Sequence, residues 1–171
     1  MRRLLGVLAL VVVAAGCHFP QGWHHARTFA RTGSNSTTQT VVYFQNDVVG
    51  YQGPIVQWVA DKLDAHPELA VRMVDTCSAG RNCVEWDTAD INGGTTALSA
   101  DSARHIGVAH VWLSTTVGKT ASLELSRKIA WHEACHAFGG GWGADIHGMC
   151  NYEHAAHHMA DIARVYHDDP G

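Results

Sequence analysis

The chain has 171 residues, 46% of them hydrophobic and 16% charged, and its formal net charge is −4 with histidine neutral. That length suits one domain with a substantial core, and with a negative net charge and no basic cluster after the first three residues nothing suggests nucleic-acid binding. The side chains with metal and redox chemistry to offer are 13 histidines and five cysteines.

Met1-Arg2-Arg3 gives a positive start, Leu4 to Ala15 is apolar, and Ala14-Ala15-Gly16-Cys17 offers the small residues of a cleavage site. Residues 1–16 therefore read as a signal peptide, too short in its apolar run to span a bilayer well. A signal segment followed directly by cysteine resembles the bacterial lipoprotein lipobox. The resemblance implies cleavage before Cys17, lipid on Cys17, and a place in the bacterial cell envelope, at the outer face of the cytoplasmic membrane or otherwise outside the cell. An ordinary secretory signal that happens to contain a cysteine is the alternative, and it too exports the protein. Residues 17–40 are polar, with Gly33-Ser34-Asn35-Ser36-Thr37-Thr38 lacking any apolar period. They read as a flexible tether between the lipid and the domain.

Val41-Val42-Tyr43-Phe44 predicts a strand. Gly50 to Gly53 breaks it, and Pro54 opens a helix on which Ile55, Val59 and Leu63 recur at i, i+4 and i+8, ending at His66 before Pro67. Leu69 to Val74 predicts a second strand, and strand, helix, strand at this spacing predicts a parallel pair with a right-handed crossover. Cys77 and Cys83 bracket a short polar loop. In an exported protein such a pair forms a disulfide; a metal site is the runner-up, without a neighbouring histidine. Val84-Glu85-Trp86 predicts a short strand and Gly93-Gly94-Thr95-Thr96 a turn. Arg104 to Leu113 alternates, with Ile106, Val108 and His110 on one face and Val111 and Leu113 on the other; this strand is expected near the cleft, with an edge able to pair with an extended peptide.

After a break over Gly118 to Ser122, Leu123 to Phe138 predicts a long helix containing Trp131-His132-Glu133-Ala134-Cys135-His136. Positions i and i+4 share a face, so His132 and His136 point the same way with Glu133 beside them, away from an apolar side of Ile129, Ala130, Ala134, Ala137 and Phe138. Two imidazoles and a neighbouring carboxylate are what a catalytic zinc site needs. Gly139-Gly140-Gly141 stops the helix, since glycine relieves the left-handed cap conformation.

His132, Glu133, His136 and Gly139, followed by Met149 in Gly148-Met149-Cys150-Asn151-Tyr152, resemble the metzincin zinc peptidases, whose pattern is HExxHxxGxxH or HExxHxxGxxD and then a Met-turn beneath the metal. Met159, Ile162, Ala163 and Tyr166 fall at i, i+3, i+4 and i+7, similar to the closing helix of matrixin-like domains. The resemblance implies an α+β fold over residues 41–171: a twisted, mostly parallel small sheet with a backing helix, an active-site helix and a C-terminal helix. It also implies Zn2+ on His132 and His136 and hydrolysis of peptide bonds by Glu133-assisted attack of zinc-bound water. The family's third-ligand position is occupied by Trp142, whose indole does not bind zinc. Asp145 is the favoured substitute, as in deuterolysin-like peptidases that pair HExxH with a downstream Asp, and His147 is the alternative. Tyr152 is a candidate oxyanion contact, or a packed or solvated tyrosine. A disulfide between Cys135 and Cys150 ties the Met-turn to the helix, with a thiolate ligand at Cys135 as the rival. His154, His157 and His158 read as a solvated helix start rather than a second metal site, and the tryptophans at 58, 86, 112 and 131 as core or cleft wall.

The expected partners are a peptide or protein substrate and the membrane through Cys17, with no nucleic acid, and the protein is expected to be a monomer. Trp142 motivates a rival: a degenerate metzincin-like envelope lipoprotein that binds metal or a partner without cleaving. A third reading is a structural lipoprotein with a chance HExxH.

Overall fold

A computed structural model describes residues 28–30, 39–77, 82–100, 105–138 and Tyr166. In chain order the elements are β1 (Thr28–Phe29), β2 (Thr40–Asn46), α1 (Gly53–Asp64), β3 (Leu69–Val74), β4 (Cys83–Ala89), β5 (Gly94–Ala100), β6 (His105–Ser114), α2 (Thr115–Thr120) and α3 (Leu123–Ala137). The strands form one sheet in the order β3-β2-β4-β6, with β5 also on β6 and β1 beside the start of β6. All these pairings are parallel except β5 with β6. The fold is thus mixed α and β on a mostly parallel sheet.

The unit β2-α1-β3 forms as its periodicity predicts. Val42 and Phe44 alternate inward on β2, while Ile55, Val56, Val59, Ala60 and Leu63 make one buried stripe on α1. Asp64 closes the helix and fixes the next strand, its Oδ1 accepting from the Val71 amide at 2.8 Å and from Arg72 Nη1 at 3.2 Å. The pairing runs from Thr40 opposite Leu69 to Gln45 opposite Val74. The Cys77–Cys83 disulfide closes the loop before β4 with a Cα–Cα distance of 6.1 Å.

Several expectations need correction. Only Gly93 of the expected Gly93–Thr96 turn acts as one, at φ 92°; from Gly94 the chain is β5. Its exposed Thr95, Ala97 and Ser99 alternate with half-buried Gly94, Thr96 and Leu98, a pattern of small side chains too weak in hydrophobic contrast to announce a strand. On β6 a register shift places Ser99 opposite Val108 but Ala100 opposite Ile106, skipping Gly107. Ile106 consequently joins Ala109, Val111 and Leu113 in the core, whereas Val108 and His110 stay half-buried. β6 is also flanked by β4 and β5, so the edge expected of it belongs to β5. Within the span expected to be a tether, Thr28 and Phe29 are buried in β1, and helix α2 occupies part of the expected break before α3.

An aromatic cluster joins sheet and helix. Phe138, at the end of α3, lies 5.2 Å from Phe29, 6.3 Å from Phe44 and 5.9 Å from Tyr166 between ring centroids, and Phe44 lies 5.7 Å from the buried Trp86. No described helix is long and apolar enough to cross a membrane. The expected signal peptide, Cys17 and, apart from Tyr166, the closing helix lie outside the described residues.

Candidate metal centre and its carboxylate

Local chemistry starts α3 where it starts. Ser122 has extended backbone and its hydroxyl accepts from the Leu125 amide at 3.2 Å, satisfying an otherwise unpaired first-turn donor, and Glu124 adds a favourable charge at the positive end of the helix dipole. Ala130, Ala134 and Ala137 are buried on the packed side, and Trp131 meets Trp58 of α1 edge to face at 6.2 Å, with Arg127 over the Trp58 ring at 5.2 Å. Alanines let the helix approach closely; the tryptophans then set its distance from α1.

That docking aims His132 and His136 together. One helical turn apart, their Nε2 atoms stand 3.0 Å from each other, with ring centroids 4.6 Å apart and ring planes at 90°. Two imidazole nitrogens bound to one tetrahedral zinc at about 2.0–2.1 Å stand about 3.3 Å apart. The pair therefore fits a shared metal ion in the geometry of its donors: the same ring nitrogen from each, and half-buried rings.

Glu133 departs from the expected arrangement. Rather than projecting openly beside the histidines, it is buried at 5% exposure between α3 and β5. The Thr96 hydroxyl donates to its Oε2 at 2.7 Å and also lies 3.1 Å from its backbone oxygen. Gly94 faces the same side chain, and a Cβ there would stand 2.7 Å from Glu133 Cγ. Among the described residues Glu133 and the two histidines do not form a three-donor cluster within 4.8 Å, so its carboxylate is not placed as a third ligand. His132, Glu133 and His136 each make further interactions beyond these.

The three-donor cluster found among the described residues is Cys77, Cys83 and Glu85. Its sulfurs are spent in the disulfide, and thiolates, not disulfides, bind metals. Glu85 instead pairs with His110 at 2.9 Å, and that imidazole stacks on Trp112 at 5.7 Å. Cys135 is also disulfide-bonded, which removes it as a thiolate ligand; its partner lies outside the described residues. So do Gly139, Trp142, Asp145, His147, Met149, Cys150, Tyr152 and the histidines at 154, 157 and 158.

Thr96 and Gly94 escaped the sequence reading because Gly-Gly-Thr-Thr carries a turn signal and no chemistry of its own. What singles them out is contact with a residue far along the chain, 37 positions away for Thr96. Comparison of the chain with protein-family models, curated proteins and solved structures finds no match.

Proposed function

We propose that the protein is an exported, lipid-anchored zinc metalloendopeptidase of metzincin-like type. The observation that carries the reading is the convergence of His132 Nε2 and His136 Nε2 to 3.0 Å on a helix that also carries the buried Glu133. His132 and His136 would hold the metal, with Asp145 as third ligand or His147 as its alternative, and Met149 would supply the Met-turn that the resemblance implies. The mostly parallel sheet backed by α1 and carrying α3 supports the fold assignment; the disulfide-bonded state of Cys135 supports a bridge to Cys150.

Zinc, when bound, supplies a Lewis acid that acidifies water and polarises a carbonyl. Glu133 takes the proton of the attacking water and hands it to the leaving amine. Its burial between α3 and β5 keeps competing solvent away from that carboxylate. Among the described residues β5 pairs only with β6, so its outer edge offers backbone donors and acceptors to an extended peptide running past Glu133. Tyr152 is the candidate second contact to the oxyanion.

Metal analysis and peptide hydrolysis test this together. The purified protein is expected to hold about one zinc per chain, lost in His136→Ala. Glu133→Ala is expected to keep the zinc and lose hydrolysis by at least ~100-fold. Protein without zinc, or a Glu133→Ala variant that cleaves like the parent, overturns the proposal. Trp142 at the usual third-ligand position favours one rival, a metal-binding homologue without activity; zinc lost in His136→Ala, with no hydrolysis by the parent of denatured-protein or peptide-library substrates, decides for it.

A further inference from the structure

We propose that Thr96 is a positioning residue for Glu133, and that Gly94 keeps the space into which the positioned carboxylate fits. The inference rests on the reading of Glu133 as the proton-transfer group and adds the device that orients it.

A hydroxyl has one proton to give. The 2.7 Å contact to the carboxylate oxygen is shorter than the 3.1 Å contact to the Glu133 backbone oxygen, and a charged acceptor makes the stronger bond, so the proton goes to Oε2. Threonine suits the task because branching at Cβ stiffens χ1, and its backbone is fixed by pairing opposite Val111 on the central strand. Two residues earlier, on the same face of β5, Gly94 leaves no room for a side chain: a Cβ there would stand 2.7 Å from Glu133 Cγ, 2.8 Å from Oε1 and 3.0 Å from Cδ. Gly94 φ is not in the left-handed region, so glycine is needed at 94 for space and not for conformation. One strand thus acts on both carboxylate oxygens. Thr96 anchors Oε2, and the bare Gly94 backbone receives Oε1.

A general base whose carboxylate wanders by about 1 Å loses up to ~100-fold in rate. Thr96→Val keeps the branched shape and removes the donor. It is expected to lower kcat by ~10- to 100-fold with KM little changed, zinc content and thermal midpoint close to the parent's, and the Glu133 carboxylate displaced from β5 in a crystal structure of the metal-free variant. Thr96→Ser, which restores the donor, is expected to recover most of kcat. Gly94→Ala, which leaves the hydroxyl in place but crowds Oε1, is expected to lower kcat as Thr96→Val does and gives a second route if the valine variant fails to fold. A Thr96→Val enzyme with parental kcat, or a kcat loss that serine does not recover, overturns the inference. Glu133→Ala measured in parallel separates the two claims. If that variant is inactive while Thr96→Val is fully active, positioning fails and the peptidase reading stands; if it remains active, the peptidase reading itself fails.

Discussion

Asn82 concentrates more backbone bonding than its short amide suggests. At φ 51° and 1% exposure, its Nδ2 donates to the Ala30 oxygen at 2.5 Å and the Val41 oxygen at 3.0 Å, while its Oδ1 accepts from the Ala30 amide at 3.0 Å. Asparagine tolerates this left-handed backbone better than alanine. Asn82→Ala is therefore expected to cost about 2–4 kcal/mol, from lost bonds to half-buried backbone partners plus backbone strain, read as a lower urea midpoint. At this scale legibility is uneven. His132 and His136 were readable because helical spacing is local, and Cys77 and Cys83 because their loop is short. Asn82 and Thr96 were not, since what they bond depends on strands that meet only in the folded chain.

Among the elements, α3 shows how a site helix is placed from both ends. Ser122 satisfies its first turn, and Phe138 is wedged among Phe29, Phe44 and Tyr166 at the other end. Ser122→Ala is expected to destabilise by about 1 kcal/mol, measured by chemical denaturation, with zinc stoichiometry unchanged because the histidines lie at the far end of the helix. Both α1 and β3 were legible, as strong apolar periods bounded by Pro54 and Pro67 leave little choice of structure. β5 was not. An edge strand facing solvent on one side needs no apolar alternation, and its Gly94 and Thr96 are dictated by Glu133. The bulge opposite Ala100 was hidden for a related reason, since Gly107 carries no side chain to break the visible alternation.

For the whole molecule, a metal bound only by the folded state adds its binding energy to stability. Zinc at ~100 times its dissociation constant is expected to add about 2.7 kcal/mol. In differential scanning calorimetry zinc should therefore raise the parent's midpoint, chelator should lower it, and His136→Ala should respond to neither. The Cys77–Cys83 bridge closes a separation of six residues, for which loop-closure entropy gives about 2 kcal/mol. The Cys77→Ala/Cys83→Ala double variant is expected to lose that much, read in the same calorimetry. The mixed, mostly parallel architecture could be read from alternating strand and helix periods, but the order of strands could not, since nothing in a strand's own residues names its neighbour.

The hydrogen bond from the Phe29 amide to the Tyr166 hydroxyl, 3.1 Å long and 137 residues apart in sequence, sets an order of events as the chain is made. Synthesis runs from the amino end, so the buried amide of β1 waits for its acceptor until Tyr166 has been made. Until then Phe29 lacks its polar anchor, and the Phe138 end of the site helix lacks one of its three aromatic neighbours. The helix that carries the two histidines is in this way coupled to the arrival of Tyr166, and a nascent product stopped short of Tyr166 is expected to be protease-sensitive around Phe29 and Phe138 while the β2-α1-β3 unit resists digestion.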